Sequence, residues 1–219
     1  MKRKSPTAVR GVLYGCVAIA GATMFGSIAL GQNLVGNPSF ENPQATSGGE
    51  AGGAGTVWNT YGNVFTENVT GRTNLSAQDG DQVIKTFGGG SGAYQSIAVV
   101  PGDIFTATGW GEISASDPHT TGTFYYGQLL IIYGSTTLVG PILGSGSPPP
   151  ADVWQEGTIT GTIPAGVTSL TFQYDAGTDG NGSVFFDNSS FTETAVPEPA
   201  TLGLLGLASG ATLLRRRRA

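Results

Sequence analysis

Residues 93–110 read AYQSIAVVPGDIFTATGW. Tyr94, Ser96, Ala98 and Val100 fall on one face of this run by alternation, the two-residue period of a strand. Val99-Val100-Pro101-Gly102-Asp103 then reverses the chain, with proline where its fixed φ suits position i+1 of a turn. A second β-prone run, Ile104–Ile113, follows at once. The run thus reads as strand, tight turn and strand. Ile163-Pro164-Ala165-Gly166 repeats the same punctuation further along.

Outward from this pair, short β-prone runs recur between turn signals, and no long 3.6-residue period appears. Strands are predicted near Asn33–Phe40, Val64–Thr70, Gln82–Phe87, Ala93–Val99, Ile104–Ile113, Phe124–Tyr133, Val153–Ile163, Ser169–Asp175 and Ser183–Thr192. About nine short strands at this spacing predict an all-β fold, an antiparallel β-sandwich of the jelly-roll type. Two stretches read as loops. Ser47–Gly55 has too much glycine for a strand and lacks the Lys-Ser/Thr of a phosphate loop, so nucleotide binding is unsupported. Gly144–Pro150 is a flexible piece followed by a stiff one.

The chain has 219 residues, with Lys+Arg 10 and Asp+Glu 15, enough for one domain with appendages. Its charge is unevenly placed. Four basic residues lie at the start and four at the end, so only Arg72 and Lys85 face the 15 acids between Glu41 and Glu198. A body with thirteen surplus negative charges repels phosphate backbones, which excludes nucleic acid as a natural partner. The charge either attracts divalent cations or only maintains solubility. Cys16 is the one cysteine, and it falls in the N-terminal apolar run. The body therefore has no disulfide, thiolate nucleophile or cysteine metal site.

Residues 1–31 have the three parts of a secretion signal: a basic segment from Lys2 to Arg10, an uncharged apolar run from Gly11 to Leu30, and small residues at Ala29 and Gly31. Cleavage is predicted before Gln32; the alternative is an uncleaved anchor helix. The body spans 32–195. In the tail, 196–219, Val196-Pro197-Glu198-Pro199 precedes an uncharged stretch, Ala200–Leu214, closed by Arg215, Arg216, Arg217 and Arg218. A helix of that length spans about 22 Å, short of a bilayer core of about 30 Å, a gap that snorkelling or thinning covers. The arginines stay cytoplasmic, leaving the body on the other side. This arrangement resembles the PEP-CTERM sorting signal of Gram-negative bacteria. The resemblance implies recognition by an exosortase-type membrane peptidase, removal of the short transmembrane helix, and delivery to the cell surface or the extracellular space in the company of exopolysaccharide. The alternative is an ordinary tail anchor.

The body shows a second resemblance. Asn33-Leu34-Val35-Gly36-Asn37-Pro38-Ser39-Phe40-Glu41 resembles the opening strand of jelly-roll, galactose-binding-like carbohydrate-binding modules, and Val184-Phe185-Phe186-Asp187-Asn188-Ser189-Ser190-Phe191 resembles their closing strand. Ser189 and Ser190 leave polar a position that is valine in many relatives. In those modules the positions of Glu41 and Asp187 help to hold a structural calcium between first and last strands, so the resemblance implies Ca²⁺ there. The alternative is that both acids cap turns by hydrogen bonds.

Aromatic rings that stack on sugars are the other candidate site. Trp58 and Tyr61 follow the glycine-rich loop, and Tyr125 and Tyr126 are adjacent on a predicted strand, so that one of the two points outward. Tyr133 is a further candidate, and for each of these rings a place in the core is the competing reading. Trp110 and Trp154 read as core. His119, the only histidine, sits in a predicted turn, which argues against a histidine zinc site or a triad. Nothing in the sequence marks a sugar-cleaving cleft. The expectation is a non-catalytic module that binds polysaccharide weakly. The rival is a structural or adhesive matrix protein with no sugar site, and an enzyme is a distant third.

Overall fold

The computed structural model describes residues 31–117, 127–143, 151–176 and 182–196. Nine strands form within them: β1 Glu50–Gly52, β2 Asn59–Asn68, β3 Gln82–Ala98, β4 Ile104–Glu112, β5 Gly127–Tyr133, β6 Thr136–Leu143, β7 Gln155–Thr162, β8 Ser169–Ala176 and β9 Ser183–Thr194. Every pairing is antiparallel. The result is the predicted all-β jelly-roll sandwich, with no helix among the described residues. The signal helix predicted within 1–31 and the transmembrane helix predicted after Pro199 lie outside those residues.

One long strand joins the two layers. Ile84–Phe87 of β3 pair with β9, whereas Ser91–Ala98 pair with β8. The strand path β6-β5-β8-β3-β9-β4-β7 therefore bends at β3 into two facing sheets, and β6 and β7 meet at the open side. The bend is a bulge. Between the pairs Asn63–Phe87 and Tyr61–Gly92, β2 passes one residue and β3 passes four. Gly62, Gly88 and Gly90 take positive φ there, a conformation that costs any residue with a Cβ. Ser91 fastens the bulge: its Oγ accepts the Asn63 N–H at 2.9 Å and donates to the Phe87 carbonyl at 3.1 Å. The glycine run at 88–90 made β3 read as two separate strands.

Aromatic rings from both sheets fill the core. Tyr174 is fully buried at its centre; its ring stacks on Phe186 at 4.5 Å and on Trp58 at 6.0 Å, and meets Phe172 edge-on at 5.5 Å. Its hydroxyl bonds to Ser189 Oγ at 3.0 Å, so the one polar atom of the ring is satisfied. Gly109 makes room for this hydroxyl, since a Cβ built there would lie 2.2 Å from it.

Three predicted elements differ. Asn33–Phe40 is not a strand: Asn37 and Phe40 have positive φ, and only Leu34 donates to β9, at the Phe191 carbonyl. The Asn33 side chain supplies further links, donating to the Ser189 carbonyl and accepting from Phe191 N–H, and Ser189 N–H donates to the Pro38 carbonyl at 2.9 Å. The glycine-rich stretch holds the short β1, which pairs with the C-terminal half of β2. Strand β6 was not predicted, because Gly140-Pro141 reads as a breaker. Pro141 is tolerated because β6 is an edge strand, bonded only to β5. Trp110 and Trp154, predicted as core, are half-buried on the outer side.

Gly109→Ala is expected to lower stability by about 1–3 kcal/mol through overpacking against Tyr174. Urea denaturation of the two chains measures this as a lower midpoint at unchanged slope.

Candidate functional site

Glu41 and Asp187 converge on one loop. Glu41 Oε1 accepts the N–H groups of Asp81 at 2.8 Å and Gln82 at 2.7 Å. Asp187 Oδ2 accepts those of Gln78 at 2.8 Å and Asp79 at 2.9 Å, and its Oδ1 accepts that of Asn188 at 2.7 Å. Gly80 at the loop tip has φ +77°, and a Cβ there would lie 2.3 Å from Glu41 Oε1. Fully buried Gln82 completes the clasp, donating to the Phe40 carbonyl at 2.8 Å and accepting from Ala45 N–H. These carboxylates are turn caps. The pair as it stands is a poor fit for calcium, since five amide hydrogens already occupy three of its four oxygens. Among the described residues no three acidic, histidine or cysteine side chains group as a metal site.

A second group lies on the outer face of the β2–β3–β8–β5–β6 sheet. Register places Tyr61, Gly92, Asp175 and Gln128 in one cross-strand row, and Asn59, Tyr94, Gln173 and Leu130 in the next. The phenolic end of Tyr61 lies over Gly92, where a Cβ would meet its Oη at 2.3 Å. The hydroxyl donates to Asp175 Oδ1 and accepts from Gln173 Nε2 at 2.9 Å. Burial, then the bond to Asp175 and its charge, raise the Tyr61 pKa well above the usual phenol value, so the hydroxyl stays protonated. Tyr94 stands beside it, with ring centroids 6.5 Å apart and planes 42° apart. Two tyrosines thus form a fixed platform bordered by amide and carboxylate groups, an arrangement suited to packing a flat apolar face while hydrogen-bonding hydroxyls at its rim.

A third group lies under residues 69–77, which cover the outer face of the other sheet. Val69, Leu75, Val83 and Phe185 form a small second core, with Ala77 and Trp154 packed against it. Beside it lies a cleft of about 280 Å³ lined by Glu112 and Asp152 among others. Glu112 is 2% exposed, and its Oε1 has no hydrogen-bond partner among the described residues. Burial, then the charges of Asp152 and Asp187, push its pKa up to about 8. Burial likewise raises Asp187 to about 8, against the opposing pull of its amide hydrogen bonds.

The predicted ligand-binding aromatics separate. Trp58 is not on the surface: it is 5% exposed, lies between Phe40, Phe172 and Tyr174, and donates from Nε1 to the Asn37 carbonyl at 3.1 Å. Its place before β2 turns it inward rather than with the preceding glycines. Tyr61 is half-buried on the outer face, and Tyr133 packs partly against the main core. Tyr125, Tyr126 and His119 lie outside the described residues, as do Pro197, Glu198, Pro199 and the four terminal arginines; Val196 is described and exposed. Sequence reasoning missed Tyr94, Gln173 and Asp175. Outward alternation within β3 and β8 marks them, but only the register puts them beside Tyr61.

The fold and the tail define the class: an exported β-sandwich carrying a surface-sorting signal. Residues 195–218 match the PEP-CTERM protein-sorting motif. The motif marks the chain for exosortase-directed sorting to the cell surface. No match is found among curated proteins. Among solved structures the chain is similar to the Stig cyclase Fisc from Fischerella sp. TAU in complex with (3Z)-3-(1-methyl-2-pyrrolidinylidene)-3H-indole, at 16% identity over 74% of this chain and 96% of that one, with a TM-score of 0.58. It is also similar to the CBM22-1 xylan-binding domain of Paenibacillus barcinonensis Xyn10C, at 15% identity over 76% and 97%, with a TM-score of 0.47. At such identity the likeness to the cyclase shows the fold.

The raised pKa values of Glu112 and Asp187 make the folded state bind protons that the unfolded chain releases. The stability they contribute is complete below their ordinary values of 4.5 and 3.8 and is lost as pH rises through about 8. In EDTA, urea midpoints are expected to fall steadily from pH 5 to pH 8.5, and Glu112→Gln is expected to flatten that fall.

Proposed function

We propose that the outer face around Tyr61 and Tyr94 binds a polysaccharide chain weakly and without cleaving it, as a module displayed at the cell surface. The observation that carries this reading is the locked posture of Tyr61. Its ring crosses β3 over Gly92, and Asp175 and Gln173 hold its hydroxyl from β8. A ring fixed before binding loses little conformational freedom on contact, which favours a weak site built from few groups. The pyranose C–H face packs on a tyrosine ring, and Asn59, Gln128, Gln173 and the free oxygen of Asp175 lie within the same two rows for its hydroxyls. The resemblance of both ends of the body to carbohydrate-binding modules agrees with this use.

The reading is of a binding module rather than an enzyme. Asp175, the carboxylate of the platform, is committed to positioning Tyr61, and the described part of the platform offers it no carboxylate partner for acid–base work. Export by the sorting tail places the face outside the cell, where polysaccharide is the abundant hydroxyl-rich polymer. The bound chain would run across the strands, along the rows that carry the two rings.

Affinity electrophoresis through gels containing xylan, galactan or the producing cell's own exopolysaccharide tests this. Retardation is expected in at least one gel, and Tyr94→Ala is expected to weaken it about tenfold, equivalent to about 1.4 kcal/mol. No retardation in any gel, or retardation that Tyr94→Ala and Tyr61→Ala leave unchanged, would favour the structural matrix role instead.

A further inference from the structure

Glu112 presents an unsolved charge problem. Its carboxyl is buried to 2% exposure with Oε1 unpartnered, yet it lines an open cleft of about 280 Å³. Asp152 lines the same cleft. It is fixed to the end of β4: its N–H donates to the Ile113 carbonyl at 2.8 Å, and its Oδ1 accepts from Ala115 N–H at 2.9 Å. Among the described residues no hydrogen bond engages Asp152 Oδ2. The remaining wall comes from Thr73, Asn74, Leu75 and Ser76, of which Thr73, Asn74 and Ser76 carry neutral side-chain oxygens. Arg72 borders the cleft, but its guanidinium is held by Glu67 at 2.7 Å. Two carboxylates therefore face one space with no committed cation between them. Such a pair keeps a proton or gains a cation.

The donor set selects the cation. It contains oxygens only, with no imidazole or thiolate among the described residues of the wall, which suits a hard ion. The oxygens come from an irregular loop and two strand ends, a shape that Ca²⁺ tolerates and that the strict octahedron of Mg²⁺ does not. Water fills the rest of the six to eight positions that Ca²⁺ requires.

We propose that the cleft between residues 73–76 and the ends of β4 and β7 is a Ca²⁺ site, with Glu112 and Asp152 as its charged ligands. Only two acids contribute, so the site belongs with the weak ones of extracellular modules, with Kd on the order of 0.1–1 mM. That range is matched to the outside of the cell, where the sorting tail delivers the protein. The site is distinct from Glu41, whose Oε1 is held by amides. It also joins covering loop to sheet, because Thr73, Asn74 and Ser76 belong to the segment lying over Glu112.

The test is calorimetric titration of the full chain in detergent, stripped with EGTA, using Ca²⁺ alone at pH 7.5. One site in the stated range is expected, with a raised melting temperature, and with Mg²⁺ at least tenfold weaker. Glu112→Gln and Asp152→Asn are each expected to weaken Ca²⁺ at least tenfold, whereas Glu41→Gln leaves it unchanged. Should Glu112→Gln fail to fold, the exposed Asp152→Asn carries the test. No binding at 10 mM Ca²⁺, or binding that survives Asp152→Asn, or binding lost in Glu41→Gln, would overturn the proposal.

Discussion

The N–H groups of Gln78, Asp79, Asp81 and Gln82 point toward two carboxylates drawn from opposite ends of the domain. Glu41 belongs to the segment that opens the body and Asp187 to the strand that closes it. Hydrogen bonds to charged acceptors contribute on the order of 1.5–3 kcal/mol each where they are sheltered from water. The loop is thus held against the sandwich by both ends of the body at once. Long-range closure is thus written into hydrogen bonds of ordinary length, in a chain whose body contains no cysteine. Gly80 is the condition for it, since no residue with a Cβ leaves room for Glu41 Oε1.

Once closed, the two sheets serve different purposes on their outer sides. One presents the half-buried Tyr61 and Tyr94 on a strand pair that glycines have bent. The other is roofed by residues 69–77 and keeps buried acids beneath the roof. The long strand β3 belongs to both, so the bulge at 88–91 separates the open face from the covered one. Tyr174 links the layers from inside: its ring packs on Phe186 of β9, and its own strand carries Gln173 and Asp175 on the opposite face.

Much of this was legible in the residues. Alternation and the Pro-Gly turn gave two successive strands at 93–113, which do not pair with each other: the end of β3 pairs with β8, and β4 lies between β9 and β7. Nearly every later strand lies where its β-prone run predicted. The acids at 41 and 187 were recognisable as a pair tying the two ends of the body. What stayed hidden depends on register and neighbours. Gly88–Gly90 looks the same in a turn as in a bulge, and only pairing with β2 distinguishes them. Pro141 forbids a central strand but not an edge. Trp58 could not be placed, because adjacency to a glycine-rich loop says nothing of which way a side chain turns. Tyr94, Gln173 and Asp175 each alternate outward, yet nothing local sets 94 against 173. Glu112 sits on the outward side of β4 by alternation and reads as solvated; its burial comes from a loop some forty residues earlier in the chain.

Strand β6 closes one margin of the sheet, with its far edge unbonded and Val139 57% exposed. A bare margin of that kind invites a neighbour's backbone to zip onto it, a hazard that grows with crowding. Pro141 offers no N–H to such a neighbour, and the irregular register between Gln128 and Leu130 spoils the straightness a fibril would need. Edge-to-edge stitching between crowded copies is thus disfavoured along this margin.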